Sequence, residues 1–424
     1  MGRFQPTEHS FGGPSQPACE SNGRRRPAPG SEGVRIVDAD VVGAFLRTAR
    51  EVLDERVAEA LESDVLFTEE LARRVAGFTL DGGKRMRPRL LWWGMRACGA
   101  AETGSALRLG VALELIQTCA LIHDDVMDRS RLRRGKPAVH IGLAERAGRS
   151  PDSERGSAFG FSAAVLAGDL ALVWADDTVA ETVLSGTQRR RVGALWRAMR
   201  TEMVAGQYLD LHGQVSGGSS VAQALRTACL KSASYSVERP LAIGAALADA
   251  DEQTTDALRA AGRCAGIAFQ LRDDLLGVFG DPEVTGKPSC DDIREGKPTY
   301  LLAVARTRAE AAGDEEALAV LGRVTGDADL TEEDLADVRG VLEVTGARAH
   351  VERKAARLHE QAVHRLGQGV DPDAHGGRQL LGLLSAVSGD RSGHLPTTPG
   401  THGHDSGAAA AAPALSASEG GGTR

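Results

Sequence analysis

The chain is predicted to be all-α, and three observations carry the prediction. Apolar residues recur at three- and four-residue intervals through long stretches. Alternating strand patterns are scarce. Two long apolar segments end alike, in "IHDDVMD" and "QLRDDLLG". Taken in order, "VVGAFLRTAREVLDERVAEAL" (41–61) reads as an amphipathic helix. "ALRLGVALELIQTCALIHDDVMD" (106–128) is long and mostly apolar, which predicts a buried central helix. The stretch near 219–250 is helical, and "TTDALRAAGRCAGIAFQLRDDLLGVFG" (254–280) predicts a second buried helix. Segments near 298–312 and 346–387 follow the same period. The two ends differ. Residues 1–33 are rich in Gly, Pro, Ser and Arg, and residues 389–424 are of low complexity. Both carry too little apolar surface to offset the entropy of ordering and are expected to be disordered. The expected organisation is a tail (1–33), one helical domain (34–388) and a second tail (389–424).

Composition narrows the function classes. Of 424 residues, 42% are apolar and 25% charged, as in ordinary globular chains. With a net charge of -8, no overall basic character points to nucleic acid, and 4% aromatics argue against base-stacking platforms. The six cysteines (19, 98, 119, 229, 264 and 290) form no CxxC pair and sit mostly in apolar helical runs. They read as reduced thiols of a cytoplasmic protein. The N-terminus lacks the apolar core of a signal peptide, and no run of about eighteen apolar residues is evident, so no membrane span is expected. Any membrane contact would be peripheral. His402 and His404 fall in the low-complexity tail and read as two tail histidines rather than a metal site.

The acidic helix ends carry the first chemical signal. Asp124 and Asp128 are four residues apart and share a helical face, with Asp125 beside them. Carboxylates crowded in this way repel one another unless a cation neutralises them. Hard oxygen donors suit Mg2+, which takes one or two carboxylates and leaves room for water or phosphate. Asp273 and Asp274 end the second apolar helix in the same manner. One such end alone fits a solvated helix terminus equally well; two, each behind a long buried helix, are harder to dismiss.

Bases follow the acids. Arg133 and Arg134 lie just past the first motif, and "GGKRMRP" (82–88) supplies Lys84 and Arg87 from a glycine loop. Lys231, Lys287 and Lys297 lie further on. Arginine grips phosphate through a planar fork and lysine as a point charge. Bases beside metal-binding acids make sense if the guest is a diphosphate, neutralised directly by one set and through metal by the other. Leu113, Ile116, Cys119 and Ala120 precede the first motif and would line a hydrocarbon tail, besides packing the helix.

As an ordered set, these motifs resemble the polyprenyl synthetase family, the trans-isoprenyl diphosphate synthases, over roughly residues 35–388. The set comprises "GGKRMRP", "ELIQTCALIHDDVMD" with "RLRRGKPAVH", "LAGDLAL", "GQYLDL", "KSASYSVERPLAIG" and "FQLRDDLLGVFGDPEVTGKP". The resemblance implies a type I isoprenoid synthase fold, a helical bundle around a deep central cavity, and a homodimer. It implies that Asp124, Asp125 and Asp128 hold Mg2+ from one wall and Asp273 and Asp274 from the other, with about three ions in the site. Arg133, Lys231 and Lys287 would grip an allylic diphosphate. Lys84, Arg87, Gln117 and Arg134 would grip isopentenyl diphosphate, and Ser232 and Gln270 would steady the allylic group. The implied reaction forms an allylic cation, which the double bond of isopentenyl diphosphate attacks head to tail. A proton is then lost to the departing diphosphate.

Two departures stand out. Gly277 occupies the place where many relatives carry a third Asp in the second motif, with Asp281 four residues on. Gln117 stands where many carry His, and its amide still offers donors to phosphate. Product length follows from small side chains. Cys119 and Ala120 replace the aromatic floor that short-chain members often place there, so a tail can pass. Ile116, with Leu113 and Ala112 below it, would set a twenty-carbon floor. The expected product is geranylgeranyl diphosphate, with longer polyprenyl products as the alternative. A class I terpene cyclase would need neither "GGKRMRP" nor the paired arginines. A non-catalytic partner subunit would tend to lose the first motif or those arginines. A di-iron carboxylate bundle would need Glu-x-x-His pairs, which Glu114 and Gln117 break.

Overall fold

The structure, a computed structural model, describes residues 29–216, 219–280, 290–327 and 329–389. The C-terminal tail from 390 and most of the N-terminal one lie outside these residues. The first helix, Pro29–Ala39, begins within the stretch expected to be tail. Helices dominate throughout. Val41–Ser63 starts at Asp40, whose carboxylate accepts from the Gly43 N–H at 2.8 Å and satisfies one of the helix's open amides.

The first acidic helix, Thr103–Met127, runs through the centre, with Leu109, Leu113, Leu115, Ile116 and Ile122 buried. Glu154–Glu181 lies close along it because its facing residues are small: Ala164, Ala167, Gly168 and Ala171. A Cβ on Gly168 would fall 2.1 Å from His123 Nε2, so the His123 ring fills the glycine's notch. The second acidic helix, Glu252–Phe279, opens at Asp251, which accepts from Thr254 N–H at 2.7 Å. Its first half, with Leu258, Ala261 and Ala265, packs into the main core. Its last turns, with Leu271 and Val278, enter a second apolar cluster with Leu301, Val304, Leu335, Val338 and Val351. This helix therefore joins the two cores and delivers its acidic end between them.

Three features depart from a plain α reading. A two-residue hairpin, Leu132–Arg133 paired with Lys136–Pro137, follows the first acidic motif. Arg134 and Gly135 both have positive φ (54° and 74°), the backbone of a tight hairpin turn. Two segments, Thr68–Ala72 and Cys229–Glu238, are π-helical. Finally, Thr103–Met127 and Glu154–Glu181 are each long and apolar enough to cross a membrane, which corrects the expectation that no such stretch exists. The first owes its apolar character to the core, being 67% buried over its most apolar window. The second is only 39% buried.

Candidate active site

The first acidic motif ends its helix with three carboxylates in three environments. Asp124 takes Lys231 Nζ at 3.2 Å, Gln207 Nε2 at 3.2 Å and Arg133 Nη2 at 3.4 Å. Asp125 is fully buried. Its Oδ1 accepts from Arg133 Nε at 2.8 Å and also from Nη2, while its Oδ2 accepts no hydrogen bond. Asp128 meets Lys297 Nζ at 2.9 Å. Burial alone would raise all three carboxyls. At Asp124 the charges of Lys231, Lys297 and Arg133 outweigh it and hold the group below its ordinary value. At Asp125 burial prevails over Arg133, and at Asp128 over Lys297, so both are raised.

The second motif approaches the same space. Asp274 is buried and accepts from Gln270 Nε2 at 2.8 Å. Burial, then the nearby charge of Asp292, pushes its carboxyl well up. A Cβ on Gly277 would sit 3.7 Å from Asp292 Oδ2, so a carboxylate from elsewhere in the chain faces the position of the missing third Asp. Asp292 Oδ1 in turn lies 3.7 Å from Lys297 Nζ, which also pairs with Glu295 and reaches Asp128 of the first motif. On the other side, Lys231 Nζ joins Asp124 to Asp210 at 2.5 Å, and Asp210 is near enough to raise Asp274. The two acidic ends thus approach each other through Asp210 and Asp292, which lie near the second motif and share Lys231 and Lys297 with the first. Among the described residues, no three His, Cys, Asp or Glu side chains already surround a metal position. The donor set still fits a hard cation. It is all oxygen, and Asp125 Oδ2 is a buried acceptor with nothing donating to it.

The bases arrive from three elements. The hairpin sends Arg133 and Arg134 in different directions. Arg133 turns to the acids, while Arg134 turns to the glycine loop, stacks over Phe78 at 5.4 Å and donates to Asp81 O. Gly82 and Gly83 have φ of 66° and 84°, and a Cβ on either would fall 3.4–3.5 Å from the Arg134 side chain. The loop needs glycine for backbone conformation there. Lys84 lies exposed on this loop. Arg87 Nη2 donates to Ser236 Oγ at 2.7 Å, and its guanidinium lies 4.6 Å over the Tyr235 ring. Tyr235 O–H donates to Gln117 Oε1 at 2.9 Å. The π-helix Cys229–Glu238 carries Lys231, half-buried Ser232, Tyr235 and Ser236. Its wider turn brings positions four and five apart onto one face, so Lys231 and the Tyr235–Ser236 pair can serve one cleft. Lys287 and Asp281 lie outside the described residues.

The apolar wall follows the helix register. Ala120, Gln117, Ile116 and Leu113 lie on the Asp124 side, at three- and four-residue steps. Ala120 is half-buried, and Ile116 and Leu113 are fully buried beneath it. Cys119 is turned toward Glu154–Glu181. Its Sγ lies 3.7 Å from His123 Nδ1, and burial with nearby Asp169 pushes its thiol up to about 12.

Sequence reasoning named Lys297 without a role and passed over Gln207, Asp210, Tyr235 and Asp292. The signals were present, since Gln207 and Asp210 sit in "GQYLDL" and Tyr235 in "KSASYSVERPLAIG". Their distances from the acidic motifs along the chain hid the contacts.

Comparison with known proteins gives a consistent result. The model of the polyprenyl synthetase family matches residues 69–338. The chain is 32% identical to a geranylfarnesyl diphosphate synthase of Aeropyrum pernix, over 73% of this chain and 92% of the relative. It is 31% identical to a (2E,6E)-farnesyl diphosphate synthase of Mycobacterium tuberculosis, over 87% and 94%. Among solved structures, a geranylgeranyl pyrophosphate synthase from Corynebacterium glutamicum, complexed with isoprenyl diphosphate and magnesium, matches with a TM-score of 0.74 and 39% identity. That match covers 81% of this chain and 98% of the other.

Proposed function

The chain belongs to the polyprenyl synthetase family, and from that premise we propose that it condenses isopentenyl diphosphate head to tail with allylic diphosphates to give geranylgeranyl diphosphate. The observation that supports the elongating activity is the approach of the two acidic helix ends: Lys231 and Lys297 join the first motif to Asp210 and Asp292, the carboxylates that lie beside the second, and Arg133 of the hairpin reaches the first. Asp124, Asp125, Asp128, Asp273 and Asp274 would hold Mg2+, about three ions in all. When bound, Mg2+ neutralises the diphosphates and eases departure of the allylic one.

The chain's own residues do the rest. Arg133, Lys231 and Lys287 would grip the leaving allylic diphosphate, and Lys297, beside Asp128, would add a further positive charge there. Lys84, Arg87 and Arg134, with the neutral amide of Gln117, would bind isopentenyl diphosphate and hold its double bond beside the allylic carbon. The buried apolar wall excludes water from the cation. Ala120 on the Asp124 side supports passage of a tail beyond fifteen carbons, and Ile116 and Leu113 support a floor near twenty. The relatives are named for three different product lengths, so product sizing decides the matter. The purified chain with Mg2+, labelled isopentenyl diphosphate and farnesyl diphosphate should yield a single twenty-carbon alcohol after dephosphorylation. A ladder of longer alcohols would favour a polyprenyl synthase, and no incorporation would overturn the elongating reading. We further place the protein in the cytoplasm as a homodimer, with both long apolar helices kept in the bundle. The five described cysteines are free, which suits that compartment.

A further inference from the structure

We infer that Tyr235 is a positioning residue for the isopentenyl diphosphate side of the site: its hydroxyl fixes the Gln117 amide so that the amide donors face the bound anion. The inference rests on the elongating reading above. A glutamine side chain ends in an acceptor and a pair of donors, and only the donor end serves a diphosphate. The Tyr235 hydroxyl donates to Gln117 Oε1 at 2.9 Å and so occupies the acceptor end. Nε2 is thereby directed away from the phenol. An imidazole at position 117 would carry its donor in a ring set by two torsions. The amide adds a third torsion, which must be fixed from outside.

Tyr235 is itself held. It is buried, so its hydroxyl requires a partner. Arg87 lies 4.6 Å over its ring, anchored by Ser236 Oγ at 2.7 Å and facing Glu114 Oε1 at 4.0 Å. Glu114 is fixed by Arg85 Nη1 at 2.6 Å. One aromatic side chain therefore ties together two of the groups assigned to isopentenyl diphosphate, Arg87 through its face and Gln117 through its hydroxyl. Its hydroxyl bond and its cation–ring contact thus both go to the isopentenyl diphosphate side, to Gln117 and Arg87.

The test uses Tyr235→Phe, which keeps the ring beneath Arg87 and removes only the hydroxyl, alongside Gln117→Leu and the double variant. For Tyr235→Phe, KM for isopentenyl diphosphate should rise about five- to tenfold, the value of one hydrogen bond, while KM for farnesyl diphosphate stays within about twofold. The double variant should be no worse than Gln117→Leu alone, because the hydroxyl acts only through the amide. An unchanged KM for isopentenyl diphosphate, a joint rise of both KM values, or additive effects would overturn the inference. Titration calorimetry with isopentenyl diphosphate separates the two claims. A wild-type chain that binds and elongates while Tyr235→Phe binds equally well sinks the positioning role alone. A wild-type chain that neither binds nor elongates sinks the reading beneath it as well.

Discussion

Three neighbouring aspartates acquire different characters from what surrounds them. Asp124 stays readily ionised because Lys231, Lys297 and Arg133 outweigh its burial, whereas Asp125 and Asp128 are raised by theirs. Asp124→Asn removes the most readily ionised of the three. Lys231 keeps Asp210 as a partner, so the fold should persist with little change in Tm. The expected outcome is a fall in kcat of about 100- to 1,000-fold, the scale for losing one electrostatic contact to developing charge; steady-state kinetics with farnesyl diphosphate checks it. Ala120 gives a second residue-scale prediction. It lies one turn above Asp124 on the same side, with Ile116 buried beneath. Ala120→Phe should close that path and shorten the product to fifteen carbons or fewer, read directly by sizing the dephosphorylated alcohols. An unchanged twenty-carbon product would show that the tail takes another route.

The π-helix Cys229–Glu238 governs the element scale. Its wide backbone is accommodated by glycines on two neighbouring helices. A Cβ on Gly206 would fall 2.3 Å from Lys231 N, one on Gly266 would fall 2.7 Å from Ala233 Cα, and one on Gly262 would fall 2.8 Å from Glu238 Cα. Gly206→Ala must therefore push the segment away at the residue that meets Asp124. The cost of such overpacking is about 1–3 kcal/mol, visible as a lower Tm, together with a raised KM for the allylic substrate as Lys231 shifts. At the far end of the segment, Glu238 is buried against Arg263 (2.9 Å), Arg259 (3.3 Å) and Arg239 (3.7 Å). Burial alone would raise its carboxyl, but the three arginines prevail and hold it below the ordinary 4.5. The stabilisation is thus fully present above pH 4.5 and is lost as pH falls through the lower folded value. Thermal melts between pH 3 and 7 should show Glu238→Gln less stable by about 2 kcal/mol at neutral pH, converging with wild type in acid. Parallel curves across that range would remove Glu238 from the account.

On the scale of the whole molecule, what could be read from sequence was what is local. The two acidic helices follow from a period of 3.6 residues, and the motif order from short strings. The hairpin that parts Arg133 from Arg134 is only two residues per strand, too short for an alternating pattern to register. Lys297, Asp210 and Asp292 join the site through packing between elements far apart in sequence, which no spacing rule reports. That Cys119 faces another helix shows only through His123, four residues on, whose ring seats in the notch at Gly168. The exposed side of Glu154–Glu181 is a further whole-molecule property. Phe159, Leu166 and Val173 recur every seven residues and are 43%, 59% and 54% exposed, with Val165 beside them. A heptad stripe of this kind is what a helix presents to a partner helix. It also accounts for a helix apolar enough for a membrane yet only 39% buried. A second copy of the chain satisfies both facts, since a twofold pairing buries the same stripe on each subunit. Sedimentation should give twice 44.5 kDa for the wild type. Leu166→Glu places a charge at the centre of the stripe and should yield the single-chain mass, while the residues that face Thr103–Met127 are untouched. If Leu166→Glu stays dimeric, the stripe is not the contact; if the wild type sediments as one chain, that exposed face belongs to some other partner.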